Sequence, residues 1–198
     1  DDLNSAQTHF TELNVFGHFA PKLPNSYRDT PYVFLANINP ELQLEVLKQV
    51  RQSKLVVCDT MNLWIDISKP ALMETLKQVD ILIINDSEAK QLTQESNLIR
   101  AGRQILTYGP SRVIIKKGEH GALSLTESEF FALPAYPLAS VSDPTGAGDS
   151  FAGAFMGHLA STDQPDNEEA IRQAIGYGTI VASFNVGDFS LNRLRNLT

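Results

Sequence analysis

An α/β fold with an open, mostly parallel sheet flanked by helices is predicted by three observations. Short apolar runs alternate with longer amphipathic segments from Tyr32 onward, and β-α repeats of that kind return through parallel strands. Two adjacent runs, Ala122–Leu125 and Phe130–Leu133, are separated by only four polar residues and read as a hairpin at the sheet edge. The chain of 198 residues, 42% of them hydrophobic, is the size of one domain and carries enough apolar mass for a real core.

The elements follow in order. Residues 1–29 are irregular, with scattered aromatics. Residues 32–36 read as a strand, 41–52 as a helix, 54–59 as a strand and 69–79 as a helix. The cycle repeats with a strand at 81–84, helices at 86–92 and 97–106, and a strand Arg112–Lys116 that enters the turn Gly118-Glu119-His120-Gly121. After the hairpin, residues 146–159 place Phe151, Phe155 and Leu159 four apart on one helical face. Residues 168–185 carry Ile171, Ile175, Ile180 and Ala182 on another, and the polar segment 162–167 links the two helices.

Sixteen basic residues against 23 acidic ones leave a net charge of −7 with no basic stripe, which disfavours a nucleic-acid partner. The longest apolar runs fall far short of the roughly 20 residues of a bilayer span, so no membrane partner is expected. The single cysteine, Cys58, sits in an apolar run as a small hydrophobe, and a reducing cytoplasm fits. The chain opens Asp1-Asp2-Leu3-Asn4 without methionine or a leader-like segment, which suggests the remainder of a longer protein.

The most informative string is Asp143-Pro144-Thr145-Gly146-Ala147-Gly148-Asp149-Ser150-Phe151-Ala152-Gly153, between an extended segment and an amphipathic helix. Small residues at a helix start expose backbone N–H groups at the positive end of the helix dipole, so Gly146, Ala147 and Gly148 form a candidate anion hole. Asp149 falls in the first turn beside it, where its ionised form is favoured and can accept a proton. Donors for a phosphoryl group next to a weak base suit phosphoryl transfer, whose loose transition state needs little more. A plain glycine-rich helix start with an acidic first-turn residue would look similar.

The whole eleven-residue string resembles the C-terminal signature of the PfkB, or ribokinase-like, carbohydrate kinases. The resemblance implies that Asp149 is the base that deprotonates the acceptor hydroxyl and that Gly146 to Gly148 hold the transferred phosphate. It also implies a monovalent cation, potassium, near Asp143 and Thr145. Asn85-Asp86-Ser87-Glu88, at the end of a strand, resembles the family's Asn-x-x-Glu motif, which implies that Asn85 and Glu88 position ATP phosphate and hydrated Mg2+. The same four residues also form a capping box, and the two readings are compatible. Lys116-Lys117-Gly118-Glu119-His120-Gly121 resembles the nucleotide-binding turn, which assigns Lys116, Gly118, Glu119 and Gly121 to ATP; a bare two-glycine turn is the alternative.

The resemblance runs through nearly the whole chain, with 1–20 as a remnant of a small β lid and 21–198 as the nucleotide-binding and catalytic domain, incomplete at its N-terminus. It departs in places. The family's initial strands with their Gly-Gly motif are absent, Asp59-Thr60-Met61-Asn62 lacks the following arginine of many relatives, and Asn185-Val186-Gly187-Asp188 does not match the usual cation-site turn. The implied function is ATP-dependent phosphorylation of a sugar or nucleoside hydroxyl, with a homodimer and potassium activation as open alternatives. A truncated nucleotide-binding module without an acceptor site is the competing reading.

Other chemistries fail on their own requirements. Gly148-Asp149-Ser150 would serve a serine hydrolase only with a later histidine base, and His158 lies on the same helix. Phe151 stands where a dinucleotide fingerprint needs its third glycine, and there is no P-loop string. His9, His18, His120 and His158 lack zinc-ligand spacing.

Overall fold

The computed structural model describes residues 12–197. Among these residues six strands, β1 (Tyr32–Leu35), β2 (Leu55–Asp59), β3 (Ile81–Asn85), β4 (Arg112–Lys116), β5 (Ala122–Leu125) and β6 (Phe130–Leu133), form one sheet in sequence order. The first four are parallel, and β4-β5-β6 is an antiparallel meander at the edge, as the short hairpin linker requires.

Among the described residues, seven helices cover the two faces: α1 (Pro40–Leu47), α2 (Asn62–Ile67), α3 (Lys69–Leu76), α4 (Asp86–Thr93), α5 (Leu98–Leu106), α6 (Ala147–Thr162) and α7 (Glu168–Val186). Successive strand residues point to opposite faces, so the continuous apolar runs feed two cores at once. Val56, Cys58, Leu82, Ile84, Val113 and Ile115 pack under α1 to α5. Leu55, Val57, Ile81, Ile83 and Ile114 pack under α6 and α7 with Phe151, Phe155, Leu159, Ile171 and Ile175. Burying a side chain such as Phe155 or Ile83 completely contributes about 2 kcal/mol each, and together these layers supply most of the driving force.

Three local devices fix where the long helices stand. Gly178 lies so close to α6 that a Cβ there would stand 2.9 Å from the Phe151 carbonyl oxygen, which lets α7 pack directly on α6. Asp163, in left-handed conformation at the C-terminal cap of α6, accepts from the Tyr32 hydroxyl at 2.7 Å and pairs with Lys54 at 2.7 Å. Buried Arg112 donates to Ser124 at 2.8 Å and pairs with Glu168, tying the start of α7 to β4 and β5. With α6 pinned at its far end, its N-terminus is held at the opposite, C-terminal end of the parallel strands.

The sequence-based elements stand with three differences. The helix expected over 41–52 ends at Leu47, because the following segment turns back: Arg51 N–H donates to Arg28 O at 2.8 Å and Lys54 N–H to Pro31 O at 2.7 Å. Helix α2 has no counterpart in the sequence reading; its six residues are too few for a periodic pattern, and burial of Trp64 and Ile65 holds it. The lid-strand expectation for 1–20 lies, for residues 1–11, outside the described residues, while residues 12–20 are exposed and carry the 3-10 turn Asn14–His18. Among the described residues no helix is long and apolar enough to cross a membrane.

Candidate active site

Parallel α/β sheets collect ligands beyond the C-terminal ends of their strands, where loops diverge and helices begin. Here that rim is formed by Asp59 at the end of β2, Asn85 and Glu88 at the junction of β3 and α4, Lys116 at the end of β4, and the N-terminus of α6. β2 and β3 are apolar until their last residue, and β4 is apolar between Arg112 and Lys116, so hydrophobic burial sets each strand and leaves a polar side chain at the rim.

The start of α6 is built by a tight turn. Gly146 has φ +81° and ψ 2°, and the Ala147 N–H donates to Pro144 O at 3.2 Å, the geometry of a type II turn that needs glycine at its third position. This corrects the anion hole in one respect: the Ala147 N–H is turned inward. Among the described residues, the first-turn donors of α6 without a partner are the N–H groups of Gly148 and Asp149. Asp149 itself is exposed in that turn, at the positive end of a 16-residue helix.

Lys116 reaches across to this helix start. Its Nζ lies 3.6 Å from Oδ2 of Asp59, and it would stand 2.9 Å from a Cβ placed on Gly148. Asp59 is buried, with the Thr60 N–H donating to its Oδ1 at 2.8 Å. Burial pushes its carboxyl above the usual range, Lys116 opposes the rise, and the Asp149 charge adds to it. Asp59 is the residue that sequence reasoning left without a role; the available signal is a carboxylate closing an otherwise apolar strand.

Asn85 and Glu88 cap α4 reciprocally. The Asn85 side chain accepts from the Glu88 N–H at 2.8 Å, and the Glu88 carboxylate accepts from the Asn85 N–H at 2.9 Å. Glu88 is buried, which pushes its carboxyl up to about 7; Asp59 adds to the rise, while the Asn85 N–H and Lys116 oppose it. Asp59, Glu88, Lys116 and Asp149 thus form one electrostatic cluster. Magnesium takes one or two carboxylates plus waters, and Glu88 with neighbouring Asp59 fits that donor set. Among the described residues no group of three or more His, Cys, Asp or Glu could hold a metal ion.

The other sequence-predicted residues lie in the two loops that adjoin this cluster along the chain, after β4 and before α6. In the turn Gly118–His120, Glu119 is exposed and faces His120 at 3.6 Å. Gly118 adopts φ +53° and Gly121 φ +83°, and a Cβ at Gly121 would stand 2.7 Å from Ala135 N. Gly121 is therefore required by close packing of its own chain. Asp143 accepts from the Thr145 N–H at 2.9 Å, and that bond holds its carboxyl below the usual range. Nearby, Val186 O accepts from Ser142 N–H at 2.8 Å and Gly187 O from the Ser142 hydroxyl at 3.3 Å, whereas the buried Asn185 Oδ1 has no hydrogen-bond partner and faces Gly146. These hydrogen bonds close the loop on itself. His158 stacks on Tyr177 at 4.6 Å, between α6 and α7.

Comparison with known proteins gives a consistent result. The chain is 33% identical over 138 residues to the cytidine kinase of Thermococcus kodakarensis, covering 68% of this chain and 49% of that protein. The nucleoside kinase of Methanocaldococcus jannaschii is 28% identical over 151 residues, 76% of this chain and 46% of the relative. The chain therefore spans about half the length of the curated relatives it matches. The crystal structure of ribokinase from Thermotoga maritima superposes with a TM-score of 0.68 at 25% identity, covering 84% of this chain and 53% of that one. The model of the pfkB family carbohydrate kinases matches residues 25–193, spanning the sheet, the capped α4 and the start of α6, and the chain belongs to that family.

Proposed function

We propose that this chain is the nucleotide-binding and catalytic portion of a kinase that transfers the γ-phosphoryl group of ATP to a hydroxyl of a sugar or nucleoside, working in the cytoplasm. The observation that carries this reading is the start of α6, where Asp149 sits in the same turn as two partner-free backbone N–H groups and beside the Lys116 ammonium. The N–H groups of Gly148 and Asp149 would receive the oxygens of the transferred phosphoryl group, and their fixed orientation needs no reorganisation as charge develops. Asp149, exposed at the rim, would accept the proton of the acceptor hydroxyl. Asn85 and Glu88 would hold hydrated magnesium, with Asp59 behind them. The bound metal supplies charge neutralisation for the nucleotide phosphates.

The loop at Asp143 and Thr145 receives no catalytic step, and potassium is not part of the proposal. A second reading is favoured by one observation, the half-length match to the relatives: the chain could bind nucleotide without holding an acceptor. ATP consumption with magnesium, measured against a panel of pentoses, hexoses, sugar phosphates and nucleosides, tests both. Turnover with one acceptor class, by this chain or by a form extended with its upstream sequence, supports the kinase. Nucleotide binding with silence across the panel in both forms supports the binding module.

A further inference from the structure

We propose that Gln43 is a positioning residue of the site: its buried amide fixes the backbone of Asp59 at the rim and so sets where the Asp59 carboxylate meets the magnesium-bound nucleotide. This rests on the kinase reading and adds to it a side chain that touches neither metal nor nucleotide.

Gln43 lies on α1 and is only 1% exposed. Its amide nitrogen donates to Ala36 O at 2.9 Å, to Asp59 O at 3.1 Å and to Leu35 O at 3.3 Å, and its amide oxygen accepts from the Cys58 thiol at 3.6 Å. Three carbonyl oxygens on one side would repel the amide oxygen, so the amide has a single orientation. The register of β1 with β2 ends at Leu35 opposite Cys58, and these bonds join the two strands where that ladder stops. One side chain therefore takes over from backbone pairing at the end that faces the site.

Methionine would fill the same space with no polar group to satisfy, whereas a buried amide costs free energy until its bonds are made. Helix α1 has its own anchors: the Asn39 side chain accepts from the Glu41 N–H at 3.0 Å, and Val46 and Leu47 pack on the core beneath. The gain from the amide is at the strand ends. Asp59 is tied to its own following backbone, the Thr60 N–H donating to Oδ1 at 2.8 Å, so a carbonyl fixed by Gln43 fixes the carboxylate as well. Across the same junction the Trp64 indole N–H donates to Asn37 Oδ1 at 2.9 Å, which holds the residue after Ala36 against α2. The end of β1, the end of β2 and the start of α2 are thereby joined in one piece.

The test is a double-mutant cycle, read by calorimetric titration of the 198-residue chain with Mg-ATP and with ATP in EDTA, for the wild type, Gln43→Met, Asp59→Asn and the two combined. Gln43→Asn, which keeps an amide on a shorter arm, replaces the methionine variant if that one does not fold, and Val46→Ala loosens α1 without touching the strand ends. Thermal melts check each protein. Residues that orient a metal ligand contribute roughly 10- to 100-fold in affinity, so Gln43→Met should weaken Mg-ATP binding about tenfold in the wild type and less than about twofold in the Asp59→Asn background. Binding of ATP in EDTA by Gln43→Met, and of Mg-ATP by Val46→Ala, should stay within about twofold of the wild type. A loss that is equal in both backgrounds, persists in EDTA or is shared by Val46→Ala would overturn the proposal while the kinase reading stands. So would no loss at all, or unfolding of both Gln43 variants, which would make the amide a requirement of folding alone. A wild type that does not bind Mg-ATP would overturn both.

Discussion

Asn85 and Glu88 hold each other through two hydrogen bonds of 2.8 and 2.9 Å, so the residue pair that starts α4 also buries a carboxylate at the rim of the site. The cap orients Glu88, and the burial raises its proton affinity. A structural device and a candidate magnesium position are therefore the same two side chains.

That burial has a pH signature. The Glu88 carboxyl is raised from 4.5 to about 7 in the folded chain, so folding favours its protonated form. Its contribution is fully present below about pH 4.5 and is lost as pH rises through about 7, up to about 3 kcal/mol in all. Asp59 is shifted in the same direction and steepens the decline. Glu88→Gln keeps an acceptor for the Asn85 N–H without a charge, so in metal-free buffer its stability at pH 8 should exceed that of the wild type and its slope between pH 5 and 7 should flatten. Urea melts across that range check this; a variant less stable than the wild type at pH 8 would show that the charged cap outweighs its desolvation.

Asp149→Asn removes the proton acceptor and leaves the backbone donors of α6 in place. Turnover by the active form is expected to fall by roughly 10²- to 10⁴-fold, the usual contribution of general-base assistance, with ATP affinity within about threefold. Steady-state kinetics paired with ATP titration measure both quantities. Undiminished turnover would remove Asp149 from the chemistry.

Gly121→Ala should act on folding. At φ +83° an L-residue is strained, and the new Cβ would meet the backbone of residues 133–135, including Ala135 N at 2.7 Å. The expected loss is about 2–4 kcal/mol from strain and overpacking together. Chemical denaturation reads it directly, and a loss below about 0.5 kcal/mol would mean that the hairpin shifts freely.

Much of this architecture is written in local pattern. The apolar runs Leu55–Asp59, Ile81–Asn85 and Arg112–Lys116 become buried strands because nothing but a two-faced core can absorb them. The small residues before Asp149 dictate the turn that opens α6, and Asn85 with Glu88 dictates a cap, since both are contacts among residues a few positions apart. Family membership was legible in the same strings.

Tertiary structure alone decided what meets at the rim. Asp59, Glu88, Lys116 and Gly148 come from separate strands and helices, and their convergence depends on strand order, on α6 being pinned by Asp163, and on Gly178 letting α7 pack against it. The inward turn of the Ala147 N–H, the loop-closing role of Asp143 and the packing reason for Gly121 were equally invisible in sequence. Residue spacing encodes periodicity and caps, whereas contacts across the sheet are fixed by burial of both faces, which brings together side chains that share no local signal.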